Sequence, residues 1–335
     1  MLAAIASLEG PALTPAEAAL FRAADPAGYI LFRRNIEDRE QLRALTDSLR
    51  MLHGRDELPI LIDQEGGRVA RMRPPVWPAF PANAAFDRLY QRAPASAIQA
   101  ARWNARAIAL TLAEVGINVD CLPMLDVRQP GASDIVGDRA LGSEPMQVSA
   151  LGLAQLEGLA SAGVVGVVKH IPGHGRALVD SHKELPFVDA SDEQLAIDLE
   201  PFERLAGAPM GMTSHIVYRA WDAVLPASQS PTVIADIIRG RIGFDGFLMS
   251  DDIGMEALYG DIGVRAAACV AAGCDVALHC SGVFAESERM TRALPPLSDE
   301  SQRRLERAMA TCSTAAAGMT LAEAIDTRDQ LLALA

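Results

Sequence analysis

The 335-residue chain has no surplus of basic side chains: 43 acidic residues against 30 basic ones leave a formal charge of −13. That balance argues against nucleic acid or anionic lipid as a partner. Cysteine is scarce. The five present (Cys121, Cys269, Cys274, Cys280 and Cys312) lack the paired short spacings of a zinc site and the regularity of a disulfide framework, so they read as reduced, mostly buried thiols. No apolar run approaches the ~20 residues of a membrane span, and the start Met1-Leu2-Ala3-Ala4-Ile5 carries no basic segment of a signal peptide. A soluble, cytoplasmic protein is expected. Disorder is excluded by composition, since half the residues are hydrophobic and only 22% are charged.

What is present is a recurring pattern of short, continuous apolar runs, each followed by a longer helical stretch. The runs are Tyr29 to Phe32, Pro59 to Ile62, Ile117 to Leu122, Val164 to Val168, Pro209 to Thr213, Gly246 to Met249 and Asp275 to Leu278. Their continuity suits strands buried on both faces of a parallel sheet. Leu2 to Leu8 is a weaker eighth. It precedes a helix near Thr14-Pro15-Ala16-Glu17, where Thr14 and Glu17 have the spacing of a capping box. Further helices are expected at about 38–52 and 95–114. Eight βα units point to an α/β, single-domain (β/α)8 TIM barrel. A Rossmann-like open sheet is the rival, but no G-x-G-x-x-G opens any helix. No repeat, low-complexity tract or domain-scale linker divides the chain, so residues 1–335 are expected to form one domain, with 296–335 as C-terminal outer helices.

In such a barrel the reactive groups sit at the C-terminal ends of the strands. Here those ends are polar: Asp63-Gln64-Glu65-Gly66-Gly67-Arg68 with Arg71 beyond, Lys169-His170, Ser214-His215, and Ser250-Asp251-Asp252. Singly, a strand-end Asp is often a helix N-cap and a Lys or His there is often solvated. Four strands aiming ionisable groups at one mouth favour a functional site. Strand alternation separates Asp251 from Asp252: one should face the mouth and the other the helices, where it can cap a short helical segment through Glu256. Alternation alone does not say which.

Between Lys169 and Leu185 runs His170-Ile171-Pro172-Gly173-His174-Gly175-Arg176-Ala177-Leu178-Val179-Asp180-Ser181-His182. Its proline and two glycines disfavour regular structure, so a long loop is expected to carry His170, His174, His182 and Asp180 over the mouth. The whole chain holds only six histidines. A metal centre is the competing class. Against it, no ligand spacing falls on a regular element and Lys169 would repel a cation, so no metal is expected.

These residues resemble the β-N-acetylhexosaminidases of glycoside hydrolase family 3, in particular the cytoplasmic bacterial branch that recycles peptidoglycan fragments. The resemblance rests on Lys169-His170-Ile171-Pro172-Gly173-His174-Gly175 with Asp180-Ser181-His182, on Asp63-Gln64-Glu65-Gly66-Gly67-Arg68-Val69, and on Phe247-Leu248-Met249-Ser250-Asp251-Asp252. It extends over almost the whole chain, through Gly28 to Asn35, Gly137 to Gly142 and Gly243 to Gly246. It implies Asp251 as catalytic nucleophile, His182 as general acid/base and Asp180 as the carboxylate paired with that histidine. Asp63, Arg71, Arg139, Lys169 and His170 match residues that hold the N-acetylglucosamine ring. His215 and His174 are given supporting roles only. Two departures, Ile171 for an aromatic and Gly254 for a serine, bear on loop packing and not on the chemistry.

The implied activity is that of a retaining exo-β-N-acetylglucosaminidase acting on a sugar or muropeptide substrate, GlcNAc linked to 1,6-anhydro-N-acetylmuramic acid. A carboxylate attacks the anomeric carbon, and a second group protonates the leaving oxygen and then deprotonates water. Histidine starts near the needed pKa, about 6.5, and can fill the second role. No cofactor is called for, and a monomer is expected. The alternative within enzymes is a β-N-acetylglucosaminide phosphorylase using phosphate in place of water. A non-catalytic sugar-binding barrel would lack Asp251 or His182, and both are present.

Overall fold

The computed structural model describes residues 1–131, 133–181, 183–311 and 319–335. Eight parallel strands close a barrel: β1 (Leu2–Ser7), β2 (Pro26–Leu31), β3 (Ile60–Ile62), β4 (Val119–Asp120), β5 (Val165–Ile171), β6 (Met210–Thr213), β7 (Phe247–Asp252) and β8 (Val276–Leu278). Neighbours in sequence are neighbours in space, and β8 closes on β1. Helices fill the connections, among them Pro15–Ala24, Arg39–His53, Pro94–Glu114, Pro145–Ala160, Asp192–Arg204 and Ile262–Ala272. The chain is therefore the expected (β/α)8 barrel, with each of the eight strands overlapping an apolar run of the sequence.

Local signals explain where elements start and stop. The Thr14 hydroxyl accepts from Glu17 N at 3.2 Å while the Glu17 carboxylate accepts from Thr14 N at 2.9 Å, a reciprocal cap that opens the first helix. Asp38 caps the next, accepting from Gln41 N, and Gly54 ends it at φ 62°.

The strands sort their side chains by alternation. Ile60 and Ile62 pack outward against the helices, as do Leu248 and Ala277. Leu61, Val119, Val165, Val167, Met210, Met212, Phe247, Met249, Val276 and Leu278 fill the interior. Leu305, Ala308 and Met309 from the helix Asp299–Met309 join that interior cluster. The same helix is tied to the strand starts: Arg304 pairs with Asp245 and Asp275, and Ser301 Oγ donates to Asp275 Oδ1 at 2.6 Å. Part of the stretch 296–335 thus closes the N-terminal end of the barrel as a floor and does not lie in the outer ring. Leu321–Leu332 does pack outside, where Arg328 donates to Asn104 on the helix Pro94–Glu114.

Candidate active site

Stepping two residues up from the inward apolar layer changes its chemistry. Leu61 leads to Asp63, Val167 to Lys169, Met249 to Asp251, Ile30 to Phe32 and Leu278 to Cys280, and all five end residues line one cavity of about 270 Å³ at the strand ends. A larger groove of about 370 Å³, between the helices Pro145–Ala160 and Asp192–Arg204, is mostly apolar. Among the described residues its charged side chains are Glu157 and Arg204, which offer no constellation for chemistry.

Two bulges bring further residues to the cavity. On β5 the partners Val168 and Ile171 oppose Gly211 and Thr213, three residues against two. The strand continues through Lys169 and His170 instead of ending at Val168, and both side chains reach the cavity. On β7, Met249 and Asp252 oppose Val276 and Leu278 in the same way. An extra residue re-aims side chains and breaks strict alternation. The expectation that one of Asp251 and Asp252 faces the helices and the other the mouth is therefore corrected, because both residues line the cavity.

The two differ in what holds them. Asp252 Oδ1 accepts from Gly254 N at 2.9 Å and Cys280 N at 3.0 Å, tying the turn after β7 to the end of β8. Burial raises its pKa. Residues 253–258 form turns and not the helical segment expected through Glu256. Asp251 Oδ1 accepts from Asp252 N at 2.8 Å. His215 is buried beside them: Nε2 lies 3.0 Å from the Asp252 carbonyl oxygen, to which it can only donate, so Nδ1 accepts from Ser228 Oγ at 2.6 Å. Burial holds its pKa below the ordinary histidine value. His215 thus braces the β7 main chain.

Asp63, Glu65, Arg71, Arg139 and Lys169 form one ionic network. Lys169, 1% exposed, stands between Glu65 Oε1 at 2.7 Å and Asp63 Oδ1 at 3.0 Å. Arg139 grips Glu65 with two bonds, at 2.9 and 2.8 Å, and Arg71 reaches Asp63 Oδ2 at 3.0 Å. Burial alone would raise both carboxyl pKa values. Lys169 and Arg71 instead hold Asp63 down at about 2, and Arg139 with Lys169 hold Glu65 well below the usual range. Glu65 is not among the residues that the resemblance implies, although it sits two residues after Asp63 and alternation marks it.

The histidine loop is less open than expected. His170 lies in β5, and His174 is buried beneath the mouth, its Nε2 3.1 Å from Ser181 Oγ. Burial, and then the neighbouring His170, push the His174 pKa down to about 4. Gly175 is required by close approach: a Cβ there would come within 1.8 Å of the Val127 carbonyl oxygen. Arg176 anchors the loop to the helix Asp192–Arg204 through the Asp198 carboxylate and the Gln194 carbonyl. Asp180 is half-buried, and its carbonyl accepts from Lys183 N and Glu184 N in a turn. His182, expected as general acid/base, lies outside the described residues. The strand ends by themselves do not mark Asp126. It is a fully buried carboxylate against His170 and His174, and following the run Ile117 to Leu122 past Pro123 would have reached it. Among the described residues, no group of three or more His, Cys, Asp or Glu is arranged to hold a metal ion. No described helix is long and apolar enough to cross a membrane.

Comparison with known proteins adds to this geometry. Residues 6–312 match the glycosyl hydrolase family 3 N terminal domain. Beta-hexosaminidases from Alkalilimnicola ehrlichii and Aromatoleum aromaticum are 40% and 38% identical over 305 and 292 residues, covering 90% and 85% of this chain and 86% and 81% of theirs. NagZ from Neisseria gonorrhoeae, solved with N-trifluoroacetyl-D-glucosamine, superposes with a TM-score of 0.87 at 29% identity, covering 99% of this chain and 97% of that one. A glycoside hydrolase family 3 beta-N-acetylglucosaminidase from Paenibacillus sp. FPU-7 gives 0.86 at 29% identity and covers 98% of this chain, which spans only 66% of that one.

Proposed function

The chain belongs to glycosyl hydrolase family 3, and from that premise we propose that it is a retaining exo-β-N-acetylglucosaminidase using Asp251 as nucleophile. Its likeness to the beta-hexosaminidases makes it a glycoside hydrolase acting on β-N-acetylglucosaminides. The proposed substrate is terminal N-acetylglucosamine linked to 1,6-anhydro-N-acetylmuramic acid, with or without peptide. That choice follows from the resemblance of the Lys169 to His182 loop to the peptidoglycan-recycling branch. We further propose a monomer working in the cytoplasm without metal or organic cofactor.

The observation that carries this reading is the position of Asp251 on the wall of a small polar cavity, one layer above the apolar core and beside the Asp63–Lys169–Glu65–Arg139 network. Asp251 attacks the anomeric carbon as the bond to the aglycone oxygen breaks, and that oxygen takes a proton from the His182 imidazolium. Neutral His182 then takes a proton from water, whose oxygen attacks the same carbon and frees Asp251. Two inversions give net retention. Asp180 orients the His182 ring and favours its charged form. Arg71, Arg139 and Lys169 offer donors to the sugar, and Asp63 offers an acceptor.

The test is turnover of nitrophenyl β-N-acetylglucosaminide and of the GlcNAc–anhydromuramic acid disaccharide, with and without phosphate, followed by NMR. Free N-acetylglucosamine appearing first as the β anomer is expected. Initial α product would overturn retention, and sugar 1-phosphate as the main product would make the protein a phosphorylase.

A further inference from the structure

Beneath the mouth lies a buried carboxylate to which the proposed mechanism gives no part. Asp126 follows β4 on a segment held against β5, where Leu125 N donates to the Lys169 carbonyl at 2.7 Å. Its side chain is fully buried. Oδ1 accepts from two main-chain groups, His170 N at 3.2 Å and His174 N at 2.6 Å, and Oδ2 lies 2.7 Å from His170 Nδ1. Burial would keep this carboxyl neutral, but His170 and the other donors hold its pKa below the ordinary value. An ionised carboxylate only accepts, so the proton of this bond sits on Nδ1. In the neutral ring, Nε2 then carries a lone pair, and His170 lines the cavity.

We infer that Asp126 is a positioning residue: it holds His170 in the Nδ1-protonated form so that Nε2 accepts a hydrogen bond from a hydroxyl of the bound sugar. This rests on reading the cavity as the N-acetylglucosamine subsite. Acceptors are few on the other walls. Arg71, Arg139 and Lys169 can only donate, Asp251 is committed to the anomeric carbon, and the carboxylates of Asp63, Glu65 and Asp252 already accept bonds from the protein, so Asp63 has only its remaining lone pairs to offer. A sugar hydroxyl donates as well as accepts. By taking His174 N with the same carboxylate, Asp126 also fixes the root of the loop that carries Asp180 and His182.

Asp126→Asn separates the two tasks. The amide oxygen can keep both main-chain bonds, while the amide nitrogen then faces His170 Nδ1 and drives the ring proton to Nε2, which turns the acceptor into a donor. Imidazole ¹⁵N–¹H correlation spectra of the ligand-free protein, with His170 assigned by its loss in His170→Ala, read the tautomer directly. The expected result is Nδ1–H in the wild type and Nε2–H in Asp126→Asn. Turnover of the nitrophenyl glycoside should fall about 10- to 100-fold in kcat/KM, and Asp126→Asn should cost little more once His170 is already alanine. An Nε2–H signal in the wild type, whether from the other tautomer or from an imidazolium held by Asp126, would overturn the inference, and that spectrum decides even if the variant fails to fold. An equal loss in both backgrounds would also overturn it, by making Asp126 a purely structural residue. If the wild type turned over no glucosaminide at all, the proposed function would fail while the spectra still read the tautomer.

Discussion

At the scale of single residues, Asp251 and Asp252 stand side by side at the cavity with different duties. Asp252 is spent on Gly254 N and Cys280 N. Asp251→Ala should therefore cut kcat by about a thousandfold or more with the far-UV spectrum unchanged, since a nucleophile acts only in the chemical step. A fluorinated glycoside should label Asp251; a label on Asp252 would refute the assignment. For His182 the expected signature is leaving-group dependence. His182→Ala should cripple cleavage of the disaccharide far more than that of an activated aryl glycoside, because only the sugar alkoxide needs a proton. With the aryl substrate the variant should show a burst, and azide should restore turnover. Equal losses without burst or rescue would point to another acid/base. Asp63 gives a test in pH. Its folded pKa, about 2, lies below the unfolded value of about 3.9, so its contribution to stability is complete above pH ~4 and is lost as pH falls through 2. Urea midpoints of wild type and Asp63→Asn should differ by a constant amount from pH 5 to 8 and converge between about pH 4 and 2.

At the scale of elements, the bulges in β5 and β7 explain how two consecutive residues of each strand serve the same cavity. Their cost is an interrupted ladder, offset where Ser250 Oγ accepts from Leu278 N at 3.0 Å. The loop beyond β5 is bound at its root and carries exposed side chains further on. Tyr218 Oη donates to the Gly173 carbonyl at 2.7 Å and Arg176 grips the Asp198 carboxylate, whereas Leu178 and Lys183 are exposed. Burial raises the Asp198 pKa to about 6 even with Arg176 present. Arg176→Ala would leave that buried carboxyl without its cation and release the loop. Tryptic cleavage after Lys183 should then accelerate at unchanged helix content. An unaltered cleavage rate would mean that Tyr218 and the Asp126 bonds suffice to hold the loop.

At the scale of the whole molecule, stability and chemistry sit at opposite ends of the barrel. Leu305, Ala308 and Met309 present one face of a helix, spaced i, i+3 and i+4, to the open apolar floor. The polar layer carrying Asp63, Lys169 and Asp251 caps the other end. Leu305→Ala should open a cavity at the floor and cost about 2–5 kcal/mol, read as a lower urea midpoint, with kcat of the folded protein unchanged. A matching loss of kcat would show that the floor and the mouth are coupled through the interior.

The fold was legible because each strand is buried on both faces: continuous apolar runs such as Val164 to Val168 and Pro209 to Thr213 carry their own signature, and capping residues such as Thr14 mark the helices between them. The strand-end rule also led to most of the polar residues at the mouth. Three features escaped it, each for a tertiary reason. Bulges depend on cross-strand register, which no single strand encodes, so the shared exposure of Asp251 and Asp252 to one cavity could not be read from alternation. The floor helix looks like any other amphipathic helix until the barrel it closes exists. Asp126 matters only because folding sets its carboxylate within 2.7 Å of a histidine 44 residues away along the chain. Sequence by itself determined which residue types could do the chemistry; the closed sheet decided which of them meet.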